Sequence, residues 1–296
     1  MNGNIANSLG VLALLGWCMN VGLSRHIASG HVFGLPGLSY LGAGAVLVLF
    51  DWLRGKPPPW RSSADRRFWV VGGGAFVMFC VFFFVAIAWS ADSTVALSLG
   101  LVNYCWPVLI LLLMPLFSKC RVRPFRLGVG VALCLAGVGC AMLWGQSFAR
   151  MAGGAAENWP AFLIMAAAAL CWAAYSNLAR RWAGNSSGTG WFEIVSGLLL
   201  LALWAIAGGP LGFSPALAMP FLLHALVINA ACYLLWDYGI RHGDLPLMGA
   251  LANFLPPGSI LFGAWYLGAA VTPGLWLGGI LVCAGAMFSR RGVSGA

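Results

Sequence analysis

Ten apolar stretches, each long enough to cross a lipid bilayer, take up most of this 296-residue chain. They run Ile5–Ser24, Gly34–Leu53, Phe68–Trp89, Ser93–Phe117, Phe125–Trp144, Trp159–Trp182, Trp191–Gly208, Met219–Ile240, Leu245–Gly268 and Gly274–Ser289. A helix needs about 20 mostly apolar residues to span the hydrocarbon core. Only helices and closed barrels can cross, because lipid offers no partner to a free backbone N–H or C=O. Barrel strands would be about half as long and would alternate apolar with polar residues, whereas these runs are apolar on every side. The pattern predicts an all-α integral membrane protein with ten transmembrane helices. No positive charge precedes Arg25 and no small-residue cleavage site follows the first run, so that run is expected to stay in the protein.

The charges are few and unevenly placed. Only 8% of the residues are charged, yet the formal net charge is +9. Fourteen of the 16 Lys and Arg fall on one side of the predicted spans, chiefly in Arg54–Arg67 and Lys119–Arg126, with Arg180, Arg181, Arg241, Arg290 and Arg291. The other side holds Arg25 and Arg150. That bias is the positive-inside pattern; it accounts for the basic residues without nucleic acid and puts both termini in the cytoplasm. Eight of the nine cysteines lie inside spans and none forms a C-x-x-C pair, which disfavours a thiol oxidoreductase. His26, His31, His224 and His242 read as loop or span-end residues, which disfavours haem ligation, and no nucleotide-binding loop is present. No cofactor and no metal site are expected.

The chain divides near Gly145–Asn158 into two sets of five spans, 1–148 and 149–296, that resemble each other. Trp17, Leu23 and Arg25 have the spacing of Trp172, Leu178 and Arg180. Leu97, Leu101, Asn103, Tyr104 and Pro107 match Leu247, Leu251, Asn253, Phe254 and Pro257. Gly130, Ala136 and Gly137 match Gly278, Ala284 and Gly285. Because five is odd, the second copy enters the membrane from the opposite face. Two inverted five-helix repeats around a central cavity is a secondary-transporter design, with substrate near the midplane between halves that alternate in access.

A proline-containing helix followed by a Gly-rich helix, as in Leu127–Leu143 and Leu275–Phe288, resembles the drug/metabolite transporter superfamily. Closer still, Val102-Asn103-Tyr104-Cys105-Trp106-Pro107, Trp172-Ala173-Ala174-Tyr175, and Trp236 followed by Gly239-Ile240-Arg241-His242-Gly243 resemble the bacterial aromatic amino acid exporters of the YddG type. The resemblance covers all ten spans. It implies a facilitative exporter of neutral amino acids, the aromatic ones foremost, in the bacterial inner membrane. One departure is clear: many superfamily members carry Leu-Gly-Glu after the fourth or ninth helix, where this chain reads Phe117-Ser118-Lys119 and Leu267-Gly268-Ala269.

Candidate site residues follow from depth in the membrane. Trp17, Trp106 and Trp172 lie near the middle of their spans, away from the interfaces where Trp usually concentrates, and Tyr175 shares a helix face with Trp172. An indole N–H or phenol O–H there needs protein or a wet cavity, although plain interhelical packing would also satisfy it. Eleven other tryptophans, among them Trp60, Trp69, Trp236 and Trp265, fit the interfacial belt. Pro107 and Pro257 each free the carbonyl four residues earlier, on Asn103 and Asn253. Each Asn adds an amide that donates and accepts, so substrate binding is assigned to Trp17, Asn103, Tyr104, Trp106, Trp172, Tyr175 and Asn253. Pro107, Pro256 and Pro257 are assigned as hinges, with packing kinks as the competing reading. No acidic or basic residue reads as deep within a span, with Asp51 and Asp237 about a turn from helix ends, which favours a downhill carrier over an ion-coupled one.

The expected partners are a small-molecule amino acid and the bilayer, with no nucleic acid; nothing in the sequence fixes an oligomeric state. Competing functions are export of drug-like or quaternary ammonium cations, for which aromatic walls serve through cation–π attraction, a membrane-embedded enzyme, and a non-transporting structural subunit. The enzyme reading lacks paired carboxylates, a histidine cluster or an activated nucleophile.

Overall fold

The fold is known from a computed structural model that describes residues 3–62, 64–90, 93–117, 119–144, 155–184, 186–243 and 251–294. In these residues it is a multi-pass helical membrane protein. The helices in chain order are α1 Gly3–Trp17, α2 Asn20–Ile27, α3 Gly34–Leu53, α4 Gly73–Ala88, α5 Ser93–Asn103, α6 Trp106–Phe117 and α7 Pro124–Leu143. They continue as α8 Ala155–Trp182, α9 Thr189–Ala207, α10 Pro215–Leu222, α11 Tyr233–His242, α12 Leu255–Leu267 and α13 Pro273–Arg290. A wide π-helical turn, Phe68–Gly72, leads into α4, and a longer one, Leu223–Cys232, joins α10 to α11. Seven of the resulting rods are long and apolar enough to cross a membrane, and the α1–α2 pair, bent by 44°, makes an eighth. The linker expected near Gly145–Asn158 lies mostly outside the described residues.

One small element departs from the all-helical expectation. Arg121–Val122 pairs antiparallel with Val293–Ser294, and Arg123 N–H donates to the Gly292 carbonyl at 2.7 Å. Two residues of β-ladder are too short to read from a sequence pattern. They fasten the segment between α6 and α7 to the end of α13.

The basic segments meet at one end of the bundle. Ser62 Oγ lies 2.6 Å from Ser186 Oγ, Asp65 N–H donates to Trp182 O at 3.2 Å, and Arg181 donates to Phe117 O at 2.9 Å. Arg126 donates to Arg291 O at 3.1 Å. The opposite end carries the α2–α3 and α9–α10 connections, joined where His31 Nε2 meets Gly208 O at 3.0 Å.

Two glycine-lined crossings let helix backbones touch. Without a hydrophobic drive inside lipid, helices associate by close packing, and small residues allow the closest approach. On α3 and α9, Gly37 faces Gly197 and Gly44 faces Gly190; on α7 and α13, Gly130 faces Gly285 and Gly137 faces Gly278. A Cβ placed on Gly285 would stand 2.5 Å from the Gly130 carbonyl oxygen, and one on Gly278 would stand 2.5 Å from that of Gly137. Backbone is the obstacle, so no side chain can swing aside. Gly285→Leu is therefore expected to cost at least the about 1–3 kcal/mol of an overpacked core, seen as a lowered melting temperature in detergent, while Gly128→Leu, whose Cβ meets nothing within 4 Å, leaves it unchanged.

Candidate functional site

Three interruptions in the helices converge on one place. The first span breaks at Cys18–Met19 between α1 and α2. The span from Ser93 to Phe117 breaks at Tyr104–Cys105 between α5 and α6. A 3-10 turn, Ala252–Phe254, precedes α12. α5 ends at Asn103, the chain turns, and α6 restarts at Trp106, so Pro107 sits in a first helical turn, where a missing N–H costs little. Pro256 and Pro257 hold the same position in α12. Backbone groups exposed at such breaks need protein partners, and Tyr104 supplies one: its hydroxyl donates to the Trp17 carbonyl at 3.2 Å and meets Ser259 Oγ at 2.9 Å.

Around these breaks Trp17, Asn20, Phe79, Asn103, Tyr104, Trp106, Trp172, Tyr233 and Leu255 enclose a cavity of about 20 Å3. That is room for about one water. The walls have closed on one another. The rings of Trp17 and Trp172 stand 5.7 Å apart edge to face, Phe79 lies 5.0 Å from Trp172, and Tyr233 lies 5.2 Å from Trp17 and 5.5 Å from Trp172. Trp236 closes the ring, 5.4 Å from Trp17 and 5.5 Å from Trp106. Each such pair contributes about 0.5–1.5 kcal/mol beyond area burial. Three buried polar atoms of this cage have no hydrogen-bond partner among the described residues: Asn103 Oδ1, an acceptor, and Trp17 Nε1 and Trp236 Nε1, both donors.

Of the residues assigned from sequence, Trp17, Asn103, Tyr104, Trp106 and Trp172 line this cavity. Tyr175 stands one layer behind, 5.3 Å from Trp172 and 5.1 Å from Phe76. Asn253 belongs to the 3-10 turn before α12, but its side chain lies outside the described residues. Four lining residues went unassigned: Asn20, Phe79, Tyr233 and Leu255. Asn20 was within reach, since it follows Trp17 by three positions, and Tyr233 precedes Trp236 with the same separation that joins Trp172 to Tyr175.

Three readings require correction. Trp236 is not a belt residue; it is 2% exposed and part of the cage, because α11 lies against α1 rather than lipid. His224 is not at a span end. It is fully buried in the π-helical turn, with Nε2 at 3.1 Å from Ser24 Oγ and Nδ1 at 2.7 Å from Ser39 Oγ. The third reading concerns ionisable groups near the span ends, where position alone does not show burial. Glu193 on α9 is 0% exposed, and Asp237 on α11 is buried in an ion pair with Arg241, whose Nε also donates to the Asp237 carbonyl at 3.1 Å. A roomier groove of about 750 Å3 lies at the basic end, between α3, α9 and residues 57–60, where Trp52 and Trp60 stand mostly exposed. It lies outside the converging breaks and has none of the cage's unpaired polar atoms.

The bridging hydroxyl gives a direct test. Tyr104→Phe leaves the Trp17 carbonyl at a helix break without its partner, and an unsatisfied buried acceptor costs about 1–3 kcal/mol. The expected outcome is a lowered melting temperature with an unchanged helical circular-dichroism spectrum.

Residues 159–291 match the EamA-like transporter family. Over 292 residues the chain is 25% identical to the aromatic amino acid exporter YddG of Salmonella typhimurium (strain 14028s / SGSC 2262), covering 97% of each protein. It is 28% identical over 268 residues to the protein of the same name from Ancylobacter novellus, covering 86% of each. One solved crystal structure superposes with a TM-score of 0.71 at 25% identity, covering 97% of this chain and 98% of its own. Residues 159–291 are thus similar to the EamA-like transporter family, and the relatives that match most of the chain's length carry the name aromatic amino acid exporter.

Proposed function

We propose that this protein is a ten-helix carrier built from two inverted repeats, 1–148 and 149–296, and that it exports neutral amino acids, aromatic ones foremost, across a bacterial inner membrane by alternating access. The observation that carries this reading is the shut aromatic cage at the meeting of broken helices, whose residues include buried polar atoms without hydrogen-bond partners among the described residues. The names of the relatives supply the substrate class.

The repeat reading draws support from contacts that map onto one another. Exchange each residue for its counterpart in the other half, and the Gly130–Gly285 contact becomes Gly278–Gly137. Likewise Gly37–Gly197 becomes Gly190–Gly44. Trp17 and Trp172 are counterparts that touch each other, as two residues on a pseudo-twofold axis must. The Trp17–Trp236 contact has its image in Trp172–Phe79. Both the third and the eighth predicted span carry a π-helical turn. The family domain at 159–291 also falls within one repeat.

An amino acid zwitterion would meet complementary ends of the cage. Asn103 Oδ1 accepts from the ammonium. The carboxylate faces the Trp17 indole N–H and the N-terminal ends of α6 and α12, whose dipoles favour negative charge. Trp172, Trp106 and Tyr104 bound the side chain, Tyr175 backs Trp172, and Asn253 is the counterpart of Asn103. The hinges are the breaks that Pro107, Pro256 and Pro257 begin to close. Transport is downhill and export follows from high cytoplasmic concentration. The gathering of fourteen basic residues toward one end supports a cytoplasmic placement of that end and of both termini.

Flux of labelled phenylalanine into liposomes containing the purified protein tests the function, and its absence would refute it. A substrate panel then separates the roles. Asn103→Ala should weaken phenylalanine, methionine and alanine alike, by the about 1.5–3 kcal/mol of a hydrogen bond to a charged group. Trp172→Ala should change the preference among them by about 1 kcal/mol. Quaternary ammonium flux in place of amino acid flux would favour the cation reading. Orientation is tested with Arg61→Cys in a background without native cysteines; an impermeant maleimide should fail to label it from outside intact cells, and labelling there reverses the topology.

A further inference from the structure

Among the described residues, Glu193 is a side chain that packing alone explains poorly. It lies on α9 one turn in from the basic end and is 0% exposed, and neither carboxyl oxygen has a hydrogen-bond partner among the described residues. Two other buried titratable groups have partners. Asp237 has Arg241, and His224 has Ser24 and Ser39. Glu193 has no such provision. The titratable groups facing it are the Cys80 thiol on α4, the Tyr175 phenol on α8 and the Tyr233 phenol on α11, with Tyr40 on α3 beyond Cys80. None carries a positive charge. Arg241 is the nearest guanidinium on α11, and it is engaged twice by Asp237.

An ionised carboxylate without partner or water is among the least tolerable groups in a protein interior, and such a group gives up its charge instead. What keeps water out is visible. Phe192, the preceding residue, packs against Phe68 at 5.4 Å, Trp69 at 5.6 Å, Phe76 at 5.7 Å and Tyr175 at 6.2 Å. These rings form an aromatic plug beside Glu193 toward the basic end, and Phe76 and Tyr175 both touch Trp172 of the cage.

We propose that Glu193 is a proton-binding site linked to closure of the basic end: its carboxyl holds a proton while the aromatic plug is shut and gives it to entering water when the plug parts. The step balances simply, since the O–H bond on the carboxyl breaks, the proton passes to water, and the hydrated carboxylate remains until closure takes a proton back. Release and uptake both occur at the basic end. The proton therefore sets how readily that end opens without supplying a gradient to drive transport. This rests on the alternating-access reading above and adds a regulator to it. Acidity at the basic end holds the plug shut, and alkalinity favours opening.

The experiment uses the full-length protein in liposomes with two readouts. Infrared difference spectroscopy should show a protonated-carboxyl C=O band in the wild type that is absent from Glu193→Gln. Phenylalanine exchange should rise several-fold as the pH at the basic end goes from mildly acidic to mildly alkaline, and Glu193→Gln, permanently neutral, should lose that rise. Glu193→Asp should restore a pH-dependent profile. A wild type without a protonated-carboxyl band overturns the proposal with no variant required. So does a Glu193→Gln protein that keeps the band or the full pH dependence. Absence of any phenylalanine flux in the wild type would refute the transport reading instead, and the infrared result would still decide the proton.

Discussion

Everything in this structure depends on one requirement: a backbone group inside a bilayer must find its partner within the protein. Unbroken helices meet the requirement by themselves and so can face lipid. Broken ones cannot. The interruptions at Cys18–Met19, Tyr104–Cys105 and Ala252–Phe254 are accordingly gathered together, and the Tyr104 hydroxyl between the Trp17 carbonyl and Ser259 shows how one such gap is closed. The place where regular structure fails is thereby forced to the centre. It is also where helix ends and the unpaired amide oxygen of Asn103 lie together.

The surrounding helices make that gathering possible. The glycine crossings of α3 with α9 and α7 with α13 bring backbones into contact at two flanks. Between them α1 lies against α11, and α4 against α8, through large aromatic rings. Small residues at the edges and large ones at the middle give a bundle that is tight outside and filled inside by side chains able to turn. Such a centre can open by rotating rings while the glycine seams stay fixed.

The sequence was legible where composition contradicts position. A tryptophan in mid-span departs from the interfacial belt, and the three that do so, Trp17, Trp106 and Trp172, line one cavity. The run Asn103-Tyr104-Cys105-Trp106-Pro107 signals a break through proline, and the structure has a two-residue interruption at Tyr104–Cys105 within one continuous rod. Trp236 and Tyr233 were hidden because they lie near a span end, where an aromatic residue reads as interfacial; only the packing of α11 on α1 makes them internal. Phe79 was hidden among Phe76, Phe83 and Phe84, since a helix apolar on all sides does not reveal which face turns inward. Glu193 was missed for a related reason. Depth along a helix can be read from sequence, but whether neighbouring helices seal that depth from water cannot.

The closed state of the cage bears on how a solute could be held and let go. An aromatic side chain entering between Trp17, Trp172 and Tyr233 would replace ring contacts by ring contacts of the same kind, so stacking alone returns little net free energy. The polar atoms are different. Asn103 Oδ1 and the Trp17 and Trp236 indole N–H groups are buried without partners in the shut cage, so a solute that satisfies them removes an existing penalty as well as forming new bonds. On this balance, in the proposed carrier the shared polar end of a substrate would supply most of the affinity, and the rings would sort side chains by how cheaply they are displaced. A carrier gains from that division, because a site bound mainly through ring stacking would hold its substrate most tightly in the same packing that must reopen to release it.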